Sequence, residues 1–157
     1  MAKHLVKLNV NGKDHALIVD STERLLDVLR DRLELKGVKE GCGTGDCGTC
    51  TIIMDGQLVN SCLVLAVQAR DKKIITIEGV GTRDRLHPVQ QALMRYNAAQ
   101  CGFCTPGVLM NACALLASDP SPSPEKARLW LESNLCRCTG YEGIERAVMR
   151  RAEASGR

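Results

Sequence analysis

The chain has 157 residues, a formal charge of +3, 45 % hydrophobic residues and 3 % aromatic residues. This length accommodates one ordinary domain or two small ones, with a core built mainly from aliphatic side chains. The modest charge, without a stripe of Lys and Arg interleaved with aromatic residues, argues against a nucleic-acid-binding protein. Because no apolar run is long enough to span a membrane and the N-terminus lacks a signal-peptide apolar region, we expect a cytoplasmic chain without direct membrane insertion.

The first half of the chain predicts a small mixed sheet with one helix packed on it. Asn11-Gly12 and Asp55-Gly56 are two-residue hairpin signals, and each lies between two segments rich in strand-forming residues. A further segment dominated by β-branched residues follows later. The predicted strands are residues 3–10, 15–19, 51–54, 57–61 and 73–77.

The helix of this first half is expected directly after the second strand. Asp20 or Ser21 is the predicted N-cap, and Glu23 would then lie in the first turn, where an acidic side chain is favourable. The apolar residues that follow recur at helical spacing and are Leu25, Leu26, Val28, Leu29 and Leu33.

Strand signals vanish after Gly79, and the rest of the chain predicts helices. Pro88 and Pro106 open two of them, and the proline-rich stretch 119–124 separates these from the next. The predicted helices cover residues 88–96, 106–117, 124–131 and 141–154. We therefore expect two domains, residues 1–80 and residues 81–157, with the boundary in the glycine-rich and charged segment 79–86.

The sequence GCGTGDCGTC at residues 41–50 is the first group with recognisable chemistry. Cys42, Cys47 and Cys50 stand at C-x4-C-x2-C, and Cys62 follows. This is the ligand spacing of a plant-type [2Fe–2S] ferredoxin. The glycines between the cysteines fit that interpretation, because the backbone has to curl around a cluster and direct N–H groups at its sulfurs.

A second group of four cysteines lies in the helical half. Cys101 and Cys104 occur in QCGFCTPG, and Cys136 and Cys138 occur in NLCRCTGY. Each pair directly precedes a predicted helix, so two helix N-termini are expected to point at one site. Such termini favour negative charge, which four thiolates around a cluster would supply.

Other uses of the cysteines remain open on the residues alone. A disulfide framework is disfavoured in a reducing cytosol. A zinc site is the main alternative, although the single residue between Cys136 and Cys138 is unusual for structural zinc. A Rieske centre needs two His ligands, and none of the three His residues lies in a cysteine group. The ninth cysteine, Cys113, is expected to be a small buried hydrophobic residue in a helix.

The three motifs together resemble one family, the small iron–sulfur subunits of the molybdenum hydroxylases, which include xanthine dehydrogenase, aldehyde oxidase and carbon monoxide dehydrogenase. The resemblance implies an α+β fold, in which a β-grasp, plant-type ferredoxin-like domain precedes a four-helix-bundle domain, each holding one [2Fe–2S] cluster. The implied ligands are Cys42, Cys47, Cys50 and Cys62 in the first domain and Cys101, Cys104, Cys136 and Cys138 in the second.

The resemblance also implies a function as the electron-transfer subunit of a molybdenum-dependent oxidoreductase. Electrons would pass one at a time from molybdopterin in a large partner subunit, through both clusters, to FAD in a medium partner subunit of a heterotrimer that is expected to dimerise. Gln100 and Cys138 match positions that contact the pterin, and Arg137 is a candidate for tuning a cluster or for a surface salt bridge. The chain itself has no substrate site by this interpretation. A free-standing two-cluster ferredoxin and a zinc-stapled interaction module are the competing hypotheses.

Overall fold

The computed structural model describes residues 2–155, with side chains up to residue 151. Three terminal residues of the two expected domains lie outside this range: Met1, Gly156 and Arg157. The described chain is an α+β structure with a five-stranded mixed sheet and five α-helices.

The sheet has the strand order β2-β1-β5-β3-β4, in which β1 and β5 are parallel and the other pairs are antiparallel. All five predicted strands are confirmed, but β4 and β5 end early because the chain continues in 3-10 turns at Ser61–Leu63 and Ile77–Gly79. The strands are β1 (Lys3–Val10), β2 (Lys13–Asp20), β3 (Thr51–Met54), β4 (Gln57–Asn60) and β5 (Lys73–Ile75).

Both hairpin turns have the backbone that their sequences predict. Asn11 and Gly12 have φ values of 52° and 79°, and Asp55 and Gly56 have 48° and 83°. Two successive residues with positive φ give the turn a twist that matches the twist of the strands it connects. The hairpins therefore follow from local sequence.

The predicted N-cap of the first helix is wrong. Asp20 ends β2 instead, and its N–H group bonds the Glu23 carboxylate at 3.2 Å, so Glu23 lies before the helix. Helix α1 (Leu25–Asp27) begins after Arg24 and continues as a π-helical turn, Val28–Arg32. A tertiary contact decides this start, because the N–H of Leu25 donates to the carbonyl of Val64 at 2.7 Å.

Four helices follow at the predicted positions, and a proline stands in the first turn of each of the first three. His87 and Ser123 accept hydrogen bonds from first-turn N–H groups of the second and the fourth helix. None of the helices in residues 2–155 combines the length and the hydropathy that crossing a bilayer requires. The helices are α2 (Pro88–Arg95), α3 (Thr105–Ser118), α4 (Pro124–Leu131) and α5 (Glu142–Ser155).

The buried apolar residues form two separate clusters. The first lies under the sheet and α1 and includes Leu8, Leu25 and Ile52. The second lies among α2, α3, α4 and α5 and includes Leu115 and Ile144. The two parts touch where α3 packs against β3 and β4, next to the cysteine loops.

Candidate metal centres

The loop at residues 41–50 curls around the sulfur of Cys42. The backbone N–H groups of Thr44 and Cys47 both point at Cys42 Sγ from 3.4 Å. Gly43 and Gly45 have φ values of 73° and 88°, a region in which a side chain is strained. The loop therefore presents donors to a thiolate in the way that an iron–sulfur site requires.

Cys50 and Cys62 meet at the base of the same loop. Their sulfur atoms lie 3.4 Å apart, and both residues belong to the first apolar cluster. The Ser61 hydroxyl donates to the carbonyl of Cys50 at 2.8 Å and so ties the two ligand segments together. Cys47 is also buried, whereas Cys42 is exposed.

The second group of cysteines assembles from two separate loops. Cys101 Sγ and Cys138 Sγ lie 3.5 Å apart at the surface. The thiols of Cys104 and Cys136 lie further inside, and Cys136 is half-buried with its Sγ 3.1 Å from the hydroxyl of Thr139. Cys104 is buried and directly precedes α3, as the sequence predicts.

Tyr141 holds the loop that carries Cys136. Its hydroxyl donates to the carbonyl of Asn134 at 3.1 Å and accepts from the N–H of Cys136 at 2.9 Å. Tyr141 has a φ of 68°, which is unfavourable for a residue with a side chain. The two hydrogen bonds, one on each side of Leu135, fix the chain just before Cys136 and help to hold Tyr141 in this backbone conformation.

The thiols differ in how readily they lose a proton. Hydrogen bonding from Thr44 and from the Cys47 backbone lowers the pKa of Cys42 to about 6. Burial raises the pKa of Cys62 and Cys104 to about 12. Metal ligation requires the thiolate, so these two buried thiols would lose their protons only on binding a metal.

The arrangement of the sulfurs fits [2Fe–2S] clusters. Two thiolates on one tetrahedral metal, with bonds of about 2.3 Å, lie roughly 3.7 Å apart, close to the 3.4 Å and 3.5 Å spacings of the Cys50–Cys62 and Cys101–Cys138 pairs. Among the described residues, no three His, Cys, Asp or Glu side chains converge on one ion position. Thiols that meet in pairs match a binuclear cluster, in which each iron takes two protein ligands.

Two other residues named from the sequence, Gln100 and Arg137, directly adjoin cysteines of the second group, and a third, Cys113, lies further along α3. Gln100 and Arg137 are exposed, and no ion pair within the described part of the chain includes Arg137. Cys113 is half-buried in α3, and its sulfur lies 3.6 Å from His87 Nδ1. Burial raises its pKa to about 12, which keeps it an unreactive thiol.

The sequence did not indicate the contacts that join the two cysteine groups. The N–H of Leu135 donates to the carbonyl of Cys47 at 2.9 Å, and the side chain of Asn134 donates to the carbonyl of Gly48 at 2.9 Å. Lys39 lies 5.6 Å from the centre of the Phe103 ring. The only sequence signal was that Asn134 stands inside the NLCRCTGY motif.

Both halves of the chain match described families. Residues 8–74 match the 2Fe-2S iron-sulfur cluster binding domain, and residues 76–149 match the [2Fe-2S] binding domain. Among similar proteins, the nicotinate dehydrogenase small FeS subunit of Eubacterium barkeri is 44 % identical, with 94 % of each chain covered. The nicotine 6-hydroxylase small subunit of Paenarthrobacter nicotinovorans is 47 % identical, covering 92 % of this chain and 87 % of the relative.

Solved structures of oxidoreductases contain chains or parts of chains with the same fold as this chain. Quinoline 2-oxidoreductase from Pseudomonas putida 86 has a chain that superposes with a TM-score of 0.93 at 42 % identity, covering 98 % of this chain and 96 % of that one. Aldehyde oxidoreductase from Desulfovibrio gigas superposes with a TM-score of 0.91 at 43 % identity, and this chain spans 17 % of that longer chain.

Proposed function

The chain belongs to the small [2Fe–2S] iron–sulfur subunits of the molybdenum hydroxylase family, and on this premise we propose that it transfers electrons between the cofactors of two partner subunits. The observation that supports this most directly is the gathering of eight cysteines into two groups, one in each matched domain. A single-domain shuttle would need only one such group.

We assign the cluster ligands as the resemblance implies. A bound [2Fe–2S] cluster accepts and releases one electron at a time, at a potential set by hydrogen bonds, burial and charge. The chain supplies those controls through N–H groups directed at Cys42 Sγ and through burial of the innermost thiols. The proposed ligands are Cys42, Cys47, Cys50 and Cys62 for one cluster and Cys101, Cys104, Cys136 and Cys138 for the other.

The proposed order of electron transfer runs from molybdopterin in a large subunit, to the helical-domain cluster, to the N-terminal cluster, and then to FAD in a medium subunit. Gln100 and Cys138 are proposed to contact the pterin, and both are exposed on this chain, so a partner can reach them. Substrate oxidation then belongs to the large subunit. The complex is proposed to be a cytoplasmic dimer of heterotrimers.

The domain architecture forms part of this proposal. Residues 1–80 would be a β-grasp, ferredoxin-like unit and residues 81–157 a four-helix bundle. Two separate apolar clusters and the contacts of α2 with α5, α3 with α4 and α4 with α5 support this division.

The test is to follow flavin reduction in the purified complex with a Cys104→Ser variant. The wild-type complex should contain molybdenum and FAD, and substrate should reduce its flavin. In the variant the molybdenum centre should still be reduced, but flavin reduction should fail. Cys113→Ser is the matched control and should behave as wild type. Flavin reduction at the wild-type rate in Cys104→Ser, or isolation of the chain as a stable monomer without partners, would contradict the proposal.

A further inference from the structure

The two cysteine groups are in direct backbone contact. The carbonyl of Cys47, a proposed ligand of the N-terminal cluster, accepts a hydrogen bond of 2.9 Å from the N–H of Leu135. Leu135 immediately precedes Cys136, a proposed ligand of the other cluster. One backbone hydrogen bond therefore connects a proposed ligand of the N-terminal cluster with the residue next to a proposed ligand of the other cluster.

Asn134 holds the two segments together. It is fully buried, and its amide Nδ2 donates across the domain contact to the carbonyl of Gly48 at 2.9 Å. Its Oδ1 accepts from Asn111 Nδ2 at 3.0 Å, so the side chain is fixed to α3 at the same time. Its own N–H donates to the carbonyl of Leu131 at 3.0 Å. Every polar group of Asn134 is thus engaged, since its carbonyl accepts from Tyr141.

The backbones around Asn134 approach too closely for side chains. A Cβ added to Gly48 would overlap the carbonyl of Ser133 and the amide of Asn134, and one added to Gly107 would overlap the carbonyl of Gly48. Gly48 also has a φ of 68°. A shift of either loop that broke this contact would leave the buried Asn134 amide unpaired, which is unfavourable. The position of one loop relative to the other is therefore closely defined.

We propose that Asn134 is a positioning residue for electron transfer between the two clusters, because it holds the Leu135–Cys47 hydrogen bond that connects their ligands. This rests on the function proposed above. In the step concerned, one cluster is oxidised by one electron and the other is reduced by one electron, and no bond or proton is exchanged. The alternative is that Asn134 only stabilises the domain contact.

Two variants separate these possibilities in the purified complex. Asn134→Asp keeps the acceptor for Asn111 but replaces the donor to Gly48 by a carboxylate oxygen, and Asn134→Leu removes both bonds at similar volume. Thr51→Val is the matched control, because the Thr51 hydroxyl donates to the same Gly48 carbonyl at 2.7 Å from within its own domain. The measurements are iron content, the EPR splitting caused by magnetic interaction of the two reduced clusters, and the rate of electron exchange between them.

We expect both Asn134 variants to retain two clusters, with a weaker EPR splitting and slower exchange than wild type, because magnetic interaction and electron transfer both weaken when the two clusters are no longer held in contact through the Leu135–Cys47 hydrogen bond. Thr51→Val should match wild type in splitting and rate. Unchanged splitting and rate in both Asn134 variants would overturn the proposal. A wild-type complex without two cluster signals would instead contradict the proposed function.

A measurement on the wild-type complex covers the case in which the variants fail to fold. Hydrogen exchange reports whether the Leu135 amide is bonded, because a bonded and packed amide exchanges slowly. We expect protection of this amide comparable to that of core strand β3. Exchange as fast as that of an exposed loop amide would overturn the proposal.

Discussion

The two cysteine groups are built in different ways. The N-terminal group lies mostly in one continuous loop, residues 41–50, whose shape comes from glycines with positive φ and from N–H groups that point at Cys42. The C-terminal group joins two loops that lie far apart in sequence. Those loops are positioned by Tyr141 and by the fixed start of α3.

This difference has a physical consequence for each group. A loop that is shaped mainly by its own backbone needs fewer distant contacts to place its cysteines, whereas a site assembled from two loops depends on every contact that holds them together. Three of the four N-terminal cysteines are buried, whereas Cys101 and Cys138 of the other group are both exposed. We therefore expect the C-terminal group to be the more sensitive to changes around it and to rely more on a partner subunit for protection.

The largest expected effect is the loss of one cluster at a time. Cys50→Ser should remove only the N-terminal cluster and Cys136→Ser only the other, because each group draws its ligands from one domain. Iron should fall from about four to about two atoms per chain in either variant. Metal analysis and EPR of the reduced protein check this. Loss of both signals in either single variant would mean that the two sites do not form independently.

The next largest effect is expected where the two groups touch. Gly48→Ala should destabilise the protein by about 3 kcal/mol or more, since a left-handed alanine costs about 1–2 kcal/mol and the methyl group would overlap Ser133 and Asn134. Gly56→Ala is the control, because Gly56 has a φ of 83° with nothing near its Cβ position. Chemical denaturation of both variants measures the difference, and equal losses would rule out a tight contact at Gly48.

A smaller effect is expected from the tyrosine that holds the C-terminal group. Tyr141→Phe removes the hydroxyl that bonds Asn134 and Cys136, at a cost of about 1–3 kcal/mol. The cluster held by Cys136 should then be lost faster to a chelator, while the N-terminal cluster is unaffected. Tyr96→Phe, at a half-buried tyrosine of the same apolar cluster, serves as the control. Equal rates of iron loss in the two variants would contradict the role given to Tyr141.

The smallest effect is expected at the ninth cysteine. Cys113→Ala should change the free energy of unfolding by about 1 kcal/mol, as for a typical single substitution, and should leave both EPR signals unchanged. Its sulfur faces His87 and belongs to neither group. A change in iron content would show that Cys113 takes part in cluster binding.

The sequence predicts this molecule best where the determinants are local. Hairpin turns such as Asn11-Gly12 and helix starts such as Pro88 are specified by a few neighbouring residues, and they are confirmed. The start of α1 was wrong because a tertiary hydrogen bond from Leu25 to Val64 overrides the better local caps. The bonds of Asn134 and Tyr141 were missed because they depend on how two distant loops pack. The roles of the eight cysteines and of Gln100 stay predictions.

The central claim is that this chain holds two [2Fe–2S] clusters, and anaerobic purification followed by metal analysis and EPR tests it most directly. After dithionite reduction, about four iron atoms per chain and two distinct [2Fe–2S] signals are expected. About two zinc atoms without iron would instead indicate a zinc-stapled module and would contradict the assignment of two [2Fe–2S] clusters.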